Sequence, residues 1–431
     1  MEDMLSQLPD DVLVSILSKL TLKEAVLASC LSSRWRYIWT HVTRLNFDLP
    51  RQELEGYYTE FGREESLRHI NLVNHVLGLH KSSLLEEFIV ASPFYTSFQC
   101  EVDKWLKFAL STKVQSLKIK LIPQEWRQFV PINACLDLKR FLDLSSSPIF
   151  GFKYLKVLTL DGLDVDSQVV KIFLSSCPLL EQLSIRESTQ LQHLEVGPSF
   201  KLKHLEIFDC EIDYLEICNV NLVSFSFTRN SGNKTKLLLE NVSSVVHLHI
   251  AVYLESLHRL IDLITPKFTQ LVKLSLEVDP PQFEGLGYYH SFPKFNNLKW
   301  LIVFFKDALD STILEVTPLL QASPYLQTFE IKIRWTNTRI FQGSIPQLFR
   351  QNTYQHLKVV RYVGYLGSTA DKELITYLVK KSLALEKVIV IPCDHSSYSR
   401  KKSFKVERRS RSRAWRQLQG IVPKEVELMI L

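Results

Sequence analysis

Leu180-Glu-Gln-Leu183-Ser-Ile185 sets three apolar residues at the spacing L-x-x-L-x-L, with polar residues between them. Alternation over the last four positions predicts a strand with one buried face. The same spacing recurs outward in both directions. Clear copies are Leu155-Lys-Val-Leu158-Thr-Leu160, Leu202-Lys-His-Leu205-Glu-Ile207, Leu271-Val-Lys-Leu274-Ser-Leu276, Leu298-Lys-Trp-Leu301-Ile-Val303 and Leu326-Gln-Thr-Phe329-Glu-Ile331. Weaker copies start at Leu85, Val114, Leu222, Val245, Leu357 and Leu385, giving twelve starts mostly 20 to 31 residues apart. One such strand cannot bury its leucines alone. Parallel strands stacked at about 4.8 Å build a continuous core from them.

This periodicity resembles the strand half of a leucine-rich repeat. Longer units leave room for an outer helix, expected from Ser167 to Ser176. Between Leu180 and Leu222 half-repeats start at 191 and 212, so a second strand is expected on the outer wall there, at Leu191–Val196 and Ile212–Ile217. The long interval from 114 to 155 carries Pro123, Pro131 and Pro148 and reads as an inserted loop. The expected fold is α/β: a curved, horseshoe-like leucine-rich-repeat solenoid behind a small all-helical domain.

The helical domain is read from Met1 to Thr40. Leu8-Pro9-Asp10 starts a helix, with proline where a missing N–H costs nothing. Leu13, Ile16, Leu17 and Leu20 follow at helical spacing as one apolar face. Thr21 and Glu24 have capping-box spacing, which predicts a second helix. Trp35 and Trp39 lie one turn apart on a third. Leu8-Pro9-Asp10-Asp11, Ile16-Leu17 and Arg34-Trp35-Arg36-Tyr37-Ile38-Trp39 together resemble an F-box, with Thr21 standing where plant members usually have proline. Residues 354–393, with Tyr354-Gln-His-Leu357, Gly364-Tyr365-Leu366-Gly367 and Leu385-Glu-Lys-Val388, resemble the FBD region that closes many plant F-box/leucine-rich-repeat proteins. The expected domains are an F-box at 1–48, a helical linker or cap at 49–84, repeats at 85–353, and an FBD region with a basic C-terminal segment at 354–431.

The resemblance implies a substrate-recognition subunit of an SCF-type (Skp–cullin–F-box) E3 ubiquitin ligase, non-catalytic itself. It places Leu8, Pro9, Ile16 and Leu17 among the contacts to a Skp-type adaptor or their immediate support. Two alternatives stay open: a ligase-independent interaction scaffold, and a receptor completed by a small molecule.

Composition narrows the classes. The net charge of +6 is concentrated at 400–416, which hold nine Lys/Arg against one Glu, so the rest of the chain is near −2. A weakly acidic body argues against a nucleic-acid-binding solenoid, and the basic run reads as a nuclear-localisation patch or a solvated connection. The acidic start is no signal peptide and no apolar run reaches membrane-spanning length, so a cytoplasmic or nuclear protein is expected. The seven cysteines are scattered without a CxxC pair, indicating neither a disulfide framework nor a zinc module. His247 and His249 make half a metal site. Cys177 and Cys210 sit where small apolar residues pack. No catalytic, cofactor or metal residues are expected.

Target recognition is expected on the strand residues pointing away from the core: Thr159, Gln182, Ser184, His204, Glu206, Ser224, Ser226, His247, His249, Lys273, Ser275, Trp300, Ile302, Thr328 and Glu330. Glu206, His249, Lys273 and Trp300 are the chosen candidates for binding a protein substrate. The row lacks an arginine cluster, which disfavours a phosphorylated target.

Overall fold

Every one of the twelve repeat starts is followed, two residues on, by a strand. The structure is a computed structural model that describes residues 7–48, 62–92, 99–121, 136–137, 153–198, 201–229, 235–253, 256–279, 292–306, 316–334, 353–392 and 400–431. Most of the interval read as an inserted loop, with its three prolines, lies outside the described residues. The chain divides into two units, Met1–Val220 with Arg229–Leu238, and Asn221–Thr228 with Leu239–Leu431.

The first unit opens with three short helices, α1 (Asp10–Leu17), α2 (Leu22–Leu27) and α3 (Trp35–Ile38). The capping box is present: Thr21 N–H donates to Glu24 Oε2 at 2.9 Å and Glu24 N–H to Thr21 Oγ1 at 3.3 Å. Thr21 Oγ1 also donates to Glu24 Oε2 at 2.8 Å, and that bond, together with the one from the Thr21 amide, holds the Glu24 carboxyl below its ordinary value. The expected single apolar face of α1 is split. Leu13 and Leu17 are buried, whereas Ile16 and Leu20 face solvent. Trp39 lies beyond α3, in a tighter turn at Trp39–His41, and is buried like Trp35.

The strands of this unit are β1 (Arg44–Phe47), β2 (Glu87–Ser92), β3 (Ser116–Leu121), β4 (Leu136–Asp137), β5 (Val157–Asp161), β6 (Leu163–Asp164), β7 (Gln182–Arg186), β8 (His193–Val196), β9 (His204–Cys210) and β10 (Tyr214–Cys218). The pairs β1–β2, β2–β3, β3–β5, β5–β7 and β7–β9 are all parallel, with middle leucines in register, as Leu158 opposite Leu183 and Leu183 opposite Leu205. Strand β1 was not expected, although Val42-Thr-Arg-Leu45-Asn-Phe47 has the repeat spacing. It abuts the helices directly: Thr43 N–H donates to Ser18 Oγ at 3.0 Å and Lys81 N–H to the Thr40 carbonyl at 2.8 Å. Two helices, α4 (Gly62–Leu79) and α5 (Gln99–Ser111), alternate with the first strands, and α6 (Ser167–Ser176) occupies the expected span. Its N-cap is Asp166, accepting from Val169 N–H at 2.9 Å. The expected outer strands are β8 and β10, paired in parallel away from the main sheet.

The second unit contains β11 (Ser224–Arg229), and the outer strand β12 (Lys236–Glu240) spans the boundary. Strands β13 (His247–Tyr253), β14 (Lys273–Asp279), β15 (Trp300–Phe305), β16 (Thr328–Ile333), β17 (Val359–Val363), β18 (Lys387–Ile391) and β19 (Glu427–Ile430) follow. From β11 through β13 to β19 each strand pairs in parallel with the next. Helices α7 (Leu257–Ile264), α8 (Thr317–Gln321) and α9 (Thr369–Lys381) lie between them. The basic run is not a solvated connection. It forms α10 (Arg400–Leu418), which buries Ser410, Ala414 and Leu418, while Arg413 and Gln417 donate to the carbonyls of Leu366 and Gly367. Gly367 has φ +80°, and a Cβ there would lie 3.0 Å from Arg413 Cβ. Among the described residues no helix is long and apolar enough to cross a membrane.

Candidate functional site

The start of α1 is held from both sides. Pro9, at φ −58°, ends the extended approach and its carbonyl accepts from Val12 and Leu13 N–H. Arg34 reaches across from the α3 side: Nη2 donates to the Leu8 carbonyl at 2.6 Å and to Asp10 Oδ1 at 2.5 Å, and Nε to the same oxygen at 3.0 Å. Leu13 and Leu17 fix the helix from beneath, where α1 packs on α3 and the Trp39–His41 turn. What remains outside is a stripe of Pro9, Val12, Ile16 and Leu20, spaced at three or four residues; Leu27 and Leu31 are exposed as well. Of the four expected adaptor residues, Leu8 is half-buried, Pro9 exposed, Ile16 38% exposed and Leu17 only 1% exposed. Leu17 therefore supports this face and cannot touch a partner directly. Val12, Leu27 and Leu31 are exposed too and were not among the expected adaptor residues. Only Val12 had a legible signal, its i, i+4, i+8 spacing with Ile16 and Leu20.

The outward strand row is more internally engaged than expected. In the first unit Thr159 and Ser184 are buried, the latter 2% exposed. Ser184 Oγ donates to Glu206 Oε2 at 2.6 Å, and Arg186 Nη2 to Glu206 Oε1 at 2.7 Å. Both carboxylate oxygens of Glu206 are thus occupied within its own sheet. In the second unit His249 Nδ1 lies 3.0 Å from Ser275 Oγ, its register partner, and Nε2 is 3.7 Å from Glu277. Glu277 is buried and forms an ion pair with Lys306. Glu330 faces Lys332 at 3.3 Å and Arg361 at 3.7 Å. Lys273 and Trp300 are register partners on β14 and β15, with the Lys273 ammonium 5.2 Å from the ring centroid and Trp300 47% exposed. The structure brings His249, Lys273 and Trp300 onto neighbouring strands of one unit, while Glu206 belongs to the other.

Cys177 and Cys210 are both buried, as their repeat positions imply. Burial pushes the Cys177 thiol up to about 12, which makes it a poor nucleophile at neutral pH.

A family profile for the F-box domain matches residues 5–47, and one described as the At1g61320/AtMIF1 LRR domain matches residues 75–422. The chain is also similar to curated proteins of Arabidopsis thaliana. The putative F-box/FBD/LRR-repeat protein At5g62970 is 26% identical over 413 residues, covering 88% of this chain and 90% of its own. F-box/FBD/LRR-repeat protein At1g13570 is 26% identical over 420 residues, covering 90% and 91%. Putative F-box/LRR-repeat protein At3g58880 is 28% identical over 368 residues, covering 77% and 78%.

Proposed function

Because this chain belongs to the plant F-box/FBD/leucine-rich-repeat proteins, we propose that it is the substrate-recognition subunit of an SCF-type E3 ubiquitin ligase. Its F-box docks a Skp-type adaptor, and its repeats hold a protein target for ubiquitination. The carrying observation is the solvent-facing set of Pro9 at the N-cap, Val12 and Ile16 on α1 and Leu20 just beyond it, with Leu13 and Leu17 of the same helix buried. Apolar side chains aligned on the outside of a helix leave water only when a partner covers them. The chain itself contributes no bond-making group in this reading. Rate enhancement comes from holding the target near the charged ubiquitin-conjugating enzyme.

Leu8, Pro9 and Ile16 make the adaptor contact, with Leu17 beneath them. The outward strand row makes the target contact through Lys273 and Trp300, with His249 beside them and Glu206 on the first unit. Co-purification of the full chain with a purified Skp-type adaptor tests the assignment. Stoichiometric capture, lost in I16D, is the expected result. Absence of capture by the wild-type chain overturns the ligase reading.

A further inference from the structure

Cations along the outward face of the second unit mostly meet a carboxylate. Glu330 is shared by Lys332 and Arg361, Lys387 pairs with Glu427 at 3.1 Å, and Lys306 is held by Glu277. Lys273 differs. Its row through the sheet reads Ser224, His247, Lys273, Trp300, Thr328, Val359, Lys387, Glu427, and the one carboxylate in it, Glu427, lies five strands away and pairs with Lys387. Among the described residues no carboxylate pairs with its ammonium, which rests against the Trp300 ring instead. A cation on an indole face is held in place while keeping hydrogens free for an acceptor. Ile302, half-buried beside Trp300 on β15, extends the apolar ground. Exposed tryptophan is enriched among interface anchors, and Lys273 sets a positive charge beside this one.

We propose that this patch reads an acidic–apolar peptide segment: one Asp or Glu whose carboxylate pairs with Lys273, next to an aromatic or aliphatic side chain that packs on Trp300 and Ile302. A single lysine offers point-charge pairing and no bidentate fork, so a carboxylate matches it better than a phosphate, which is favoured by clustered arginines. Glu206, already occupied by Ser184 and Arg186 on the first unit, lies outside this patch, and any contact it makes to a target is separate. The inference rests on the target-receptor reading and names the chemistry of the target.

The test pans a phage-displayed random peptide library against the full chain and measures the affinity of the selected peptides. Selected sequences should place Asp or Glu beside an apolar residue. K273E and W300A should each weaken them about tenfold or more. K273Q should weaken them less, and exchanging the peptide's acid for lysine should restore binding to K273E. Thermal melts of the three variants should match the wild type, since both positions are solvent-facing. A library that yields no peptide sensitive to K273E or K273Q overturns the proposal. Adaptor capture measured on the same preparations separates the two readings. Loss of capture with peptide selection intact refutes the ligase role alone, and the converse refutes this patch alone.

Discussion

Asp371 is fully buried and carries the turn that seats α10. Its Oδ1 accepts from Tyr362 Oη at 2.5 Å, and its Oδ2 from the N–H groups of Leu366, Gly367 and Ser368 at 2.8 to 3.0 Å. Removing the carboxylate strands several buried donors, each costing more than the bond it made was worth. D371A should therefore lose about 3 kcal/mol or more in denaturant unfolding, with D371N intermediate because its amide oxygen can still accept. No local sequence pattern foretold this, because the partners of Asp371 are set by tertiary packing. Ser184 is a similar case: alternation placed it outward correctly, but not the neighbouring carboxylate that covers it. His80 governs a different response. Its Nε2 lies 3.0 Å from the Val42 carbonyl, and its buried Nδ1 has no partner among the described residues. Burial lowers its pKa from 6.5, the Val42 bond opposes this, and His41 adds to it. His69 is lowered by the same burial. The unfolded chain therefore takes up protons first as pH falls, so this contribution is complete above about 6.5 and is lost towards the depressed folded-state values. Thermal melts between about pH 7.5 and about pH 5 should show the decline, and H80Q should flatten part of it.

At the scale of elements, the repeat register was almost wholly legible. Leu183, Leu205, Leu274 and Leu301 take the middle apolar position and are all buried. L274A should cost roughly 2–5 kcal/mol through lost burial and the cavity left behind. S275A, whose hydroxyl lies 3.0 Å from the His249 ring across the strand, should stay within about 0.5 kcal/mol. S184A should cost about 1 kcal/mol because its hydroxyl supports Glu206. Chemical denaturation of the three variants orders them, and equal losses at Leu274 and Ser275 would refute the register. Strand β1 was missed for a physical reason. Four residues carry its pattern, and the helices that dominate the local sequence signal run directly into it. Gly364 stood in the sequence only as part of the Gly364-to-Gly367 stretch, and its full constraint needed the structure: φ is +90°, and a Cβ would clash with the Ile333 carbonyl oxygen. Backbone from a neighbouring repeat forbids any side chain there. The basic run shows the opposite limit. Its charge was plain in the sequence, while the buried Ser410–Ala414–Leu418 edge was hidden among the arginines.

For the molecule as a whole, adaptor capture and target capture should be separable, because the α1 stripe belongs to one unit and the Lys273–Trp300 patch to the other. The choice of substitution decides whether this can be seen. Leu17 is buried against α3 and its neighbouring turn, and Thr43 and Lys81 tie these helices to the first strands by hydrogen bonds. An alanine at Leu17 would disturb packing as well as docking, and its effect would be ambiguous. Ile16 and Pro9 are exposed, and the Leu8 carbonyl is already satisfied by Arg34. L8A/P9A should then weaken the adaptor by about 1–4 kcal/mol, the range of interface anchors, and I16D by at least as much. Their melts should stay close to the wild type, because stability in a repeat array is largely local. W300A should do the reverse, leaving adaptor affinity unchanged while target capture falls. Calorimetric titration with the Skp-type adaptor, paired with a melt of each variant, gives the answer. Unchanged adaptor affinity in both L8A/P9A and I16D, with the fold intact, would remove the α1 stripe as the dock.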